Sequence, residues 1–140
     1  MSLYNDMAAV LARNPNLTRI GFENPCACGF TERRAEMLHP VTLDEFDRSV
    51  GWLAFVPKAK RCAADSYFAK HVCENWVGVY ISNGALIAAA VHSGFTVERS
   101  TESVNADLNL SSPRYWPLGA DHTFDWIREK YRNRFGERAA

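Results

Sequence analysis

Residues 75–97, N-W-V-G-V-Y-I-S-N-G-A-L-I-A-A-A-V-H-S-G-F-T-V, run without a single Asp, Glu, Lys or Arg, although such residues are frequent on both sides. A charge-free run of that length marks the centre of a core. It begins with a β-like segment, residues 79–81. Ser82-Asn83-Gly84 follows, in which Ser82 or Asn83 offers a side-chain oxygen to the orphan N–H groups of a helix start. Residues 85–92 then predict a helix with no polar face, because Leu86, Ile87, Ala88, Ala89, Ala90 and Val91 leave no side for water. Such a helix is enclosed by its neighbours, and its alanines let them approach closely. Gly94 ends it, since glycine takes the left-handed conformation without steric cost. A bilayer span needs roughly 20 apolar residues, and Asn75, Ser82, Asn83, Gly84, His92 and Ser93 interrupt the run. The sequence therefore predicts a buried helix and no membrane segment.

Working back towards the N-terminus, Ser66 is placed to cap a helix over residues 67–77, with Phe68, Val72, Cys73 and Trp76 as its apolar stripe and Gly78 as its stop. Lys70 and Glu74 stand four apart, the spacing of a helix-surface ion pair worth a few tenths of a kcal/mol, in the less favourable order. Lys58, Lys60 and Arg61 read as a solvated connector, since nothing aromatic interleaves with them. Thr42-Leu-Asp-Glu45 is a capping box, opening a helix that carries Leu43, Phe46, Val50, Leu53 and Ala54 on one face and ends before Pro57. Residues 31–38 allow two helical turns, and Thr18, Ile20 and Phe22 alternate like a short strand. A first amphipathic helix spans residues 2–13, with Ser2 as cap and Leu3, Met7, Val10 and Leu11 at helical spacing.

Towards the C-terminus, Phe95, Val97 and Arg99 alternate with polar residues, as do Ala106, Leu108 and Leu110. An antiparallel hairpin joined by S-T-E-S-V-N is the simplest pairing. Residues 111–119, S-S-P-R-Y-W-P-L-G, form a rigid loop with two prolines. Thr123 caps a final helix over residues 124–135, with Phe124, Ile127, Tyr131 and Phe135 inward and Arg128, Lys130, Arg132 and Arg134 outward.

The chain of 140 residues is the length of one ordinary domain, residues 1–140, and its 47% apolar and 23% charged content is that of a globular protein. Sixteen basic and sixteen acidic residues cancel, which removes the global positive field of a protein that binds mainly through nucleic-acid phosphates. The N-terminal residues lack the charged and apolar regions of a secretory signal, so the cytoplasm is the expected compartment. There the four cysteines, Cys26, Cys28, Cys62 and Cys73, are expected as thiols. Cys26-Ala-Cys28 is closer than the usual C-x-x-C hook, and Cys62 and Cys73 form no second close pair, so no metal site and no cofactor are expected.

Helix, helix, helix, strand, turn, strand over residues 42–110, with the 79–81 run between the second and third helices, is the element order of a winged-helix DNA-binding domain. In that reading residues 85–92 are the recognition helix and the connection after Arg99 is the wing. Their outer faces should then offer Arg, Lys, Asn or Gln to bases and phosphates. The helix has no basic side chain and only His92 as a larger polar group, while the wing supplies Thr101, Glu102 and Asn105. DNA reading is accordingly the weaker alternative. An enzyme would draw on Tyr67, Lys70, His71, Cys73, Glu74, Ser82, Asn83 and His92. His71 and Glu74, three apart on a helix, are the catalytic candidates because a carboxylate beside an imidazole fixes its tautomer. No nucleophile elbow, phosphate loop or metal-ligand spacing accompanies them.

The motifs S-Y-F-A-K-H-V-C-E (residues 66–74), Y-I-S-N-G-A-L-I-A-A-A (80–90), S-G-F (93–95) and N-A-D-L-N from Asn105 resemble small uncharacterised proteins carried by bacterial prophages and plasmids. The resemblance covers about residues 66–110 and implies no activity, catalytic residue or cofactor. It implies that the chain acts by binding, as compact proteins of mobile elements often do. The expected molecule is an α+β, mostly helical single domain with a buried central helix and a small antiparallel sheet. Its expected function is a non-enzymatic interaction module with a protein partner. Candidate binding residues are Lys70, Asn83 and His92 near the central helix and Arg114, Tyr115 and Trp116 on an exposed aromatic and basic surface with the final helix.

Overall fold

The computed structural model describes residues 2–100 and 102–119, so the expected final helix over residues 124–135, with its outward arginines, lies outside the described residues. Helix α1 (Leu3–Arg13) leads into a small hairpin of β1 (Leu17–Thr18) and β2 (Gly21–Phe22). Helix α2 (Phe30–Ala35) continues through a 3-10 turn, Glu36–Leu38, into α3 (Pro40–Leu53). Strand β3 (Ala64–Asp65), α4 (Ser66–Val77), α5 (Asn83–His92), β4 (Val97–Arg99), β5 (Ala106–Leu108) and a 3-10 turn, Pro113–Tyr115, complete the order. This is an α+β domain.

The charge-free stretch is its centre. Every residue from Asn83 to Ala90 is buried, with α1, α3, α4 and the β2 region packed around α5. Ser82 caps the helix by accepting from the Ala85 N–H at 3.2 Å, and Gly94 leaves it with φ 84°. The preceding segment differs from expectation: residues 79–81 form no strand, and Val79 and Tyr80 are exposed while Ile81 is buried. Gly78, at φ 81°, turns the chain back along α4. The Ile81 N–H then bonds the Glu74 carboxylate rather than a strand partner.

Two helix starts move because tertiary partners claim the expected caps. Asp65, not Ser66, caps α4, accepting from the Phe68 N–H at 3.1 Å. Ser66 instead donates to Asn83 Oδ1 and accepts from the Ala106 N–H, both at 2.9 Å, tying α4, α5 and β5 together. His39 caps α3 through Nδ1, with Pro40 in its first turn. Thr42 and Glu45 are therefore inside the helix, where both bind Arg19. That inward polar set rotates the buried face to Thr42, Glu45, Phe46, Ser49, Trp52 and Leu53, leaving Leu43 and Val50 half-buried and Ala54 exposed. On α4 the stripe is Phe68, Val72 and Cys73; Trp76 turns outward against Phe55, with ring centroids 6.0 Å apart.

The expected hairpin forms, with Val97 opposite Leu108 and Arg99 opposite Ala106. Strand β3 pairs with the other edge of β5, giving the order β3-β5-β4. The run expected between the second and third helices of the winged-helix-like order, residues 79–81, is thus no strand, and β3 stands instead between the first and second, α3 and α4. The β1–β2 turn, Arg19-Ile20, folds over the start of α5: the Gly84 N–H donates to the Arg19 carbonyl at 2.9 Å, and the Phe22 N–H to the Val104 carbonyl at 2.9 Å. A Cβ on Gly84 would overlap the Thr18 carbonyl oxygen, so this contact requires glycine. Among the described residues, no helix is long and apolar enough to cross a membrane.

Candidate binding cleft

The first two turns of α4 present Tyr67, Lys70, His71 and Glu74 along one side. Since Gly78 reverses the chain, Tyr80 returns over that side. Lys70 Nζ then lies 2.7 Å from Glu74 Oε1, 5.1 Å from the Tyr67 ring centre and 4.6 Å from that of Tyr80. The expected surface ion pair is a covered one: Lys70 is 3% exposed, while Tyr67 and Tyr80 are 45% and 60% exposed. The aliphatic stem and ammonium of the lysine form a floor on which two phenol rings stand, each attracted to the cation through its π face.

Arg19 supplies the adjoining wall. Its guanidinium lies 5.7 Å from the Tyr80 ring centre, donates from Nε to Thr42 Oγ1 at 3.0 Å and reaches Glu45 Oε2 at 2.5 Å. The other oxygen of Glu45 accepts from the Ser82 N–H at 3.0 Å, so the buried carboxylate joins the turn, α3 and the start of α5. Asn83 closes the base: its amide donates to the Ile20 carbonyl at 2.9 Å and to Asn105 Oδ1 at 3.0 Å, while its oxygen accepts from Ser66. Ile20, Val104 and Asn105 form the opposite rim. Together these residues enclose an open cleft of about 350 Å³.

The hairpin rim is held from behind. Arg33 makes a fork to the Glu23 carboxylate, at 2.8 and 2.5 Å, and Thr18 donates to the same group. The bond from Arg33 keeps the Glu23 carboxyl below the usual glutamate range. Arg34 donates to the carbonyls of Leu11, Asn14 and Leu17, fixing the end of α1 to the hairpin.

Of the residues expected from sequence, the binding candidates Lys70 and Asn83 meet in this cleft, together with Tyr67 from the enzyme reading. His92 sits at the far end of α5, roughly 14 Å along the axis, exposed and edge-on to Phe46 at 5.5 Å. Arg114 and Tyr115 are exposed on the last 3-10 turn, away from the cleft lining. Trp116 is a correction: it is 4% exposed, packed edge-on to Trp52 at 5.6 Å and against Phe68 at 5.9 Å, with its N–H on the Ser111 carbonyl. A large ring with its polar edge satisfied belongs to the core, so Trp116 is no surface anchor.

His71 and Glu74 are neighbours as expected, Nδ1 to Oε2 3.2 Å, and the His71 ring stands edge-on to Tyr67 at 4.6 Å. Neither lines the cleft. Glu74 is committed to Lys70, the Ile81 N–H and His71, and Cys73 beside it is fully buried, its thiol pushed up to about 12 by desolvation. Ser66 and Ser82 are buried and hydrogen-bonded. This arrangement supplies no poised nucleophile. Among the described residues no group of His, Cys, Asp or Glu has the makings of a metal site.

Residues Asn83 to Ala90 of α5, where the winged-helix reading places its recognition helix, are all buried among α1, α3, α4 and the β1–β2 hairpin. The wing region carries exposed Glu98, Glu102 and Asp107, and Arg99 lies over the Phe22 ring at 5.5 Å.

Arg19, Ile20, Tyr80, Val104 and Asn105 are the cleft residues that sequence reasoning missed. The available signal was Tyr80, a large aromatic between a glycine stop and a helix cap, where no core position is required. No family model matches the chain, and comparison with curated proteins and with solved structures finds no match.

Proposed function

We propose that the chain is a non-enzymatic interaction module that captures a protein partner through the cleft between Tyr67, Tyr80 and the hairpin rim. The observation that carries this reading is the pair of exposed tyrosines held on a buried Lys70, beside the exposed Ile20 and Val104. Tyrosines fixed at low entropic cost, with an arginine at hand, are typical binding anchors. The surface first suggested by Arg114, Tyr115 and Trp116 gives way to this one because Trp116 is in the core. The resemblance of residues 66–110 to small prophage and plasmid proteins agrees with an accessory protein of a mobile element that works by binding.

The test is site-specific photo-crosslinking in the source cell, with p-benzoylphenylalanine in place of Tyr80 and, as a control, of the exposed Tyr4 on α1. One protein crosslinked from position 80 and not from position 4, and lost in a Tyr67→Ala background, supports the module. Equal crosslinking from both positions, or crosslinks to nucleic acid, would remove it.

A further inference from the structure

We infer that the partner segment seated in this cleft presents a carboxylate, an Asp or Glu side chain beside an apolar residue. This rests on the cleft being the protein-binding surface proposed above. It follows from how the cleft's hydrogen-bonding groups are committed.

The amide and backbone carbonyl oxygens of the cleft each already accept a bond. Asn83 Oδ1 accepts from Ser66, Asn105 Oδ1 from Asn83, the Ile20 carbonyl from Asn83, and the Val104 carbonyl from the Phe22 N–H. The donors are not all taken. Arg19 uses Nε and Nη2 internally, and a guanidinium has five N–H donors. The Asn105 amide and the Tyr67 and Tyr80 hydroxyls make no hydrogen bond within the described residues as donors. A ligand therefore needs acceptors, and a carboxylate brings two oxygens to the remaining N–H groups of Arg19, the Asn105 amide and the phenol hydroxyls.

Ile20, Val104 and the tyrosine rings set the second requirement, an apolar neighbour to that anion. A nucleic-acid strand fits less well. The adjoining wing carries Glu98, Glu102 and Asp107, so no basic track follows the cleft outward.

The test is a titration of the 15N-labelled 140-residue chain followed by amide chemical shifts. The probes are 3-phenylpropionate, its charge-reversed analogue phenethylammonium, and a short oligothymidine. The expected result is a shift of cleft amides, at residues 19–21, 67–70, 80–83 and 104–105, with phenylpropionate and not with the other two. Asn105→Asp keeps the acceptor that Asn83 uses and replaces the donor with a repelling charge, so it should weaken phenylpropionate binding roughly tenfold or more while leaving the rest of the spectrum in place. Tyr80→Phe, which removes one hydroxyl at an exposed position, should weaken it less. Preference for phenethylammonium, or indifference to Asn105→Asp, would overturn the carboxylate and leave the protein-binding reading standing. Shifts with oligothymidine would overturn both. Silence with all three probes would overturn the carboxylate site, and the crosslinking from position 80 would still judge the surface by itself.

Discussion

Lys70 and Trp116 carry the two sharpest consequences of side-chain placement. With its ammonium 2.7 Å from Glu74 and 3% exposed, Lys70 is a cation removed from water. Lys70→Met leaves Glu74 with the Ile81 N–H and His71, and the half-buried carboxylate loses its main counter-charge. A loss of about 2 kcal/mol is expected, less than for a fully buried pair, measured as a lower urea midpoint at unchanged slope. Trp116→Ala should cost about 3 to 5 kcal/mol because it empties the contact with Trp52 and Phe68. Tyr115→Ala, one residue away and exposed, should stay within about 0.5 kcal/mol. Equal effects would mean that the loop does not close the core. Glu23 sets an acid limit. Its native pKa lies below the unfolded one, so its contribution is complete above the ordinary glutamate range and is lost as pH falls through the depressed native value. Glu23→Gln should flatten that acid limb in urea titrations across the acidic range. An unchanged limb would mean that the bond to Arg33 is no tighter than water.

At the level of elements, the hairpin turn over α5 is the joint that makes the cleft, and Gly84 is the point where it closes. Gly84→Ala puts a methyl into the backbone of Thr18 and Arg19, which cannot yield as a side chain would. We expect a loss of about 3 kcal/mol or more if the turn stays docked. If the turn lifts away, the loss is smaller and amide exchange rises selectively at residues 18–21. Exchange unchanged there with full stability would contradict the packing. What the sequence disclosed about these elements was local chemistry. Ser2 and Ser82 cap through their own hydroxyls, and Gly78 and Gly94 stop helices through positive φ, so α1 and α5 could be read with their starts and α4 and α5 with their stops. Two-residue strands such as β3 have no alternation to detect, and Ala64-Asp65 is extended because β5 offers it partners. The face of α3 was misread because Thr42 and Glu45 match a capping box locally, and only Arg19, more than twenty residues earlier, decides that they point inward. The cleft suffered most. Lys70 is covered by Tyr80 after the chain reverses at Gly78, and its far rim comes from residues 20 and 104. Of its lining, Tyr67, Lys70 and Asn83 were candidates beforehand, each for a local reason that the tertiary fold replaced.

For the molecule as a whole, the question is whether the hairpin, the helices and the sheet open together. The cysteines measure this without a mutation. Cys26 and Cys28 are exposed, Cys62 is partly covered and its thiol is raised, chiefly by burial and then by Glu98 and Asp107. Cys73 is fully buried in α4, facing Ser49 of α3, with its thiol pushed up to about 12, so it is neither reachable nor ionised at neutral pH. Alkylation of the native protein near pH 8 should therefore modify Cys26 and Cys28 quickly and Cys62 more slowly, leaving Cys73 until α3 and α4 separate. If α5 unites the domain, that separation is global unfolding, and the rate at Cys73 relative to the unfolded chain returns the same free energy as denaturant titration. Lys70→Met and Gly84→Ala should then accelerate Cys73 labelling by the factor that their lost stability predicts, about tenfold per 1.4 kcal/mol. Labelling of Cys73 well ahead of that rate would show that α3 and α4 part while the rest of the fold persists. The cleft on α4 would then sit on an element that opens separately, and a partner gripping Tyr67 and Tyr80 would slow the labelling of Cys73 without changing that of Cys26.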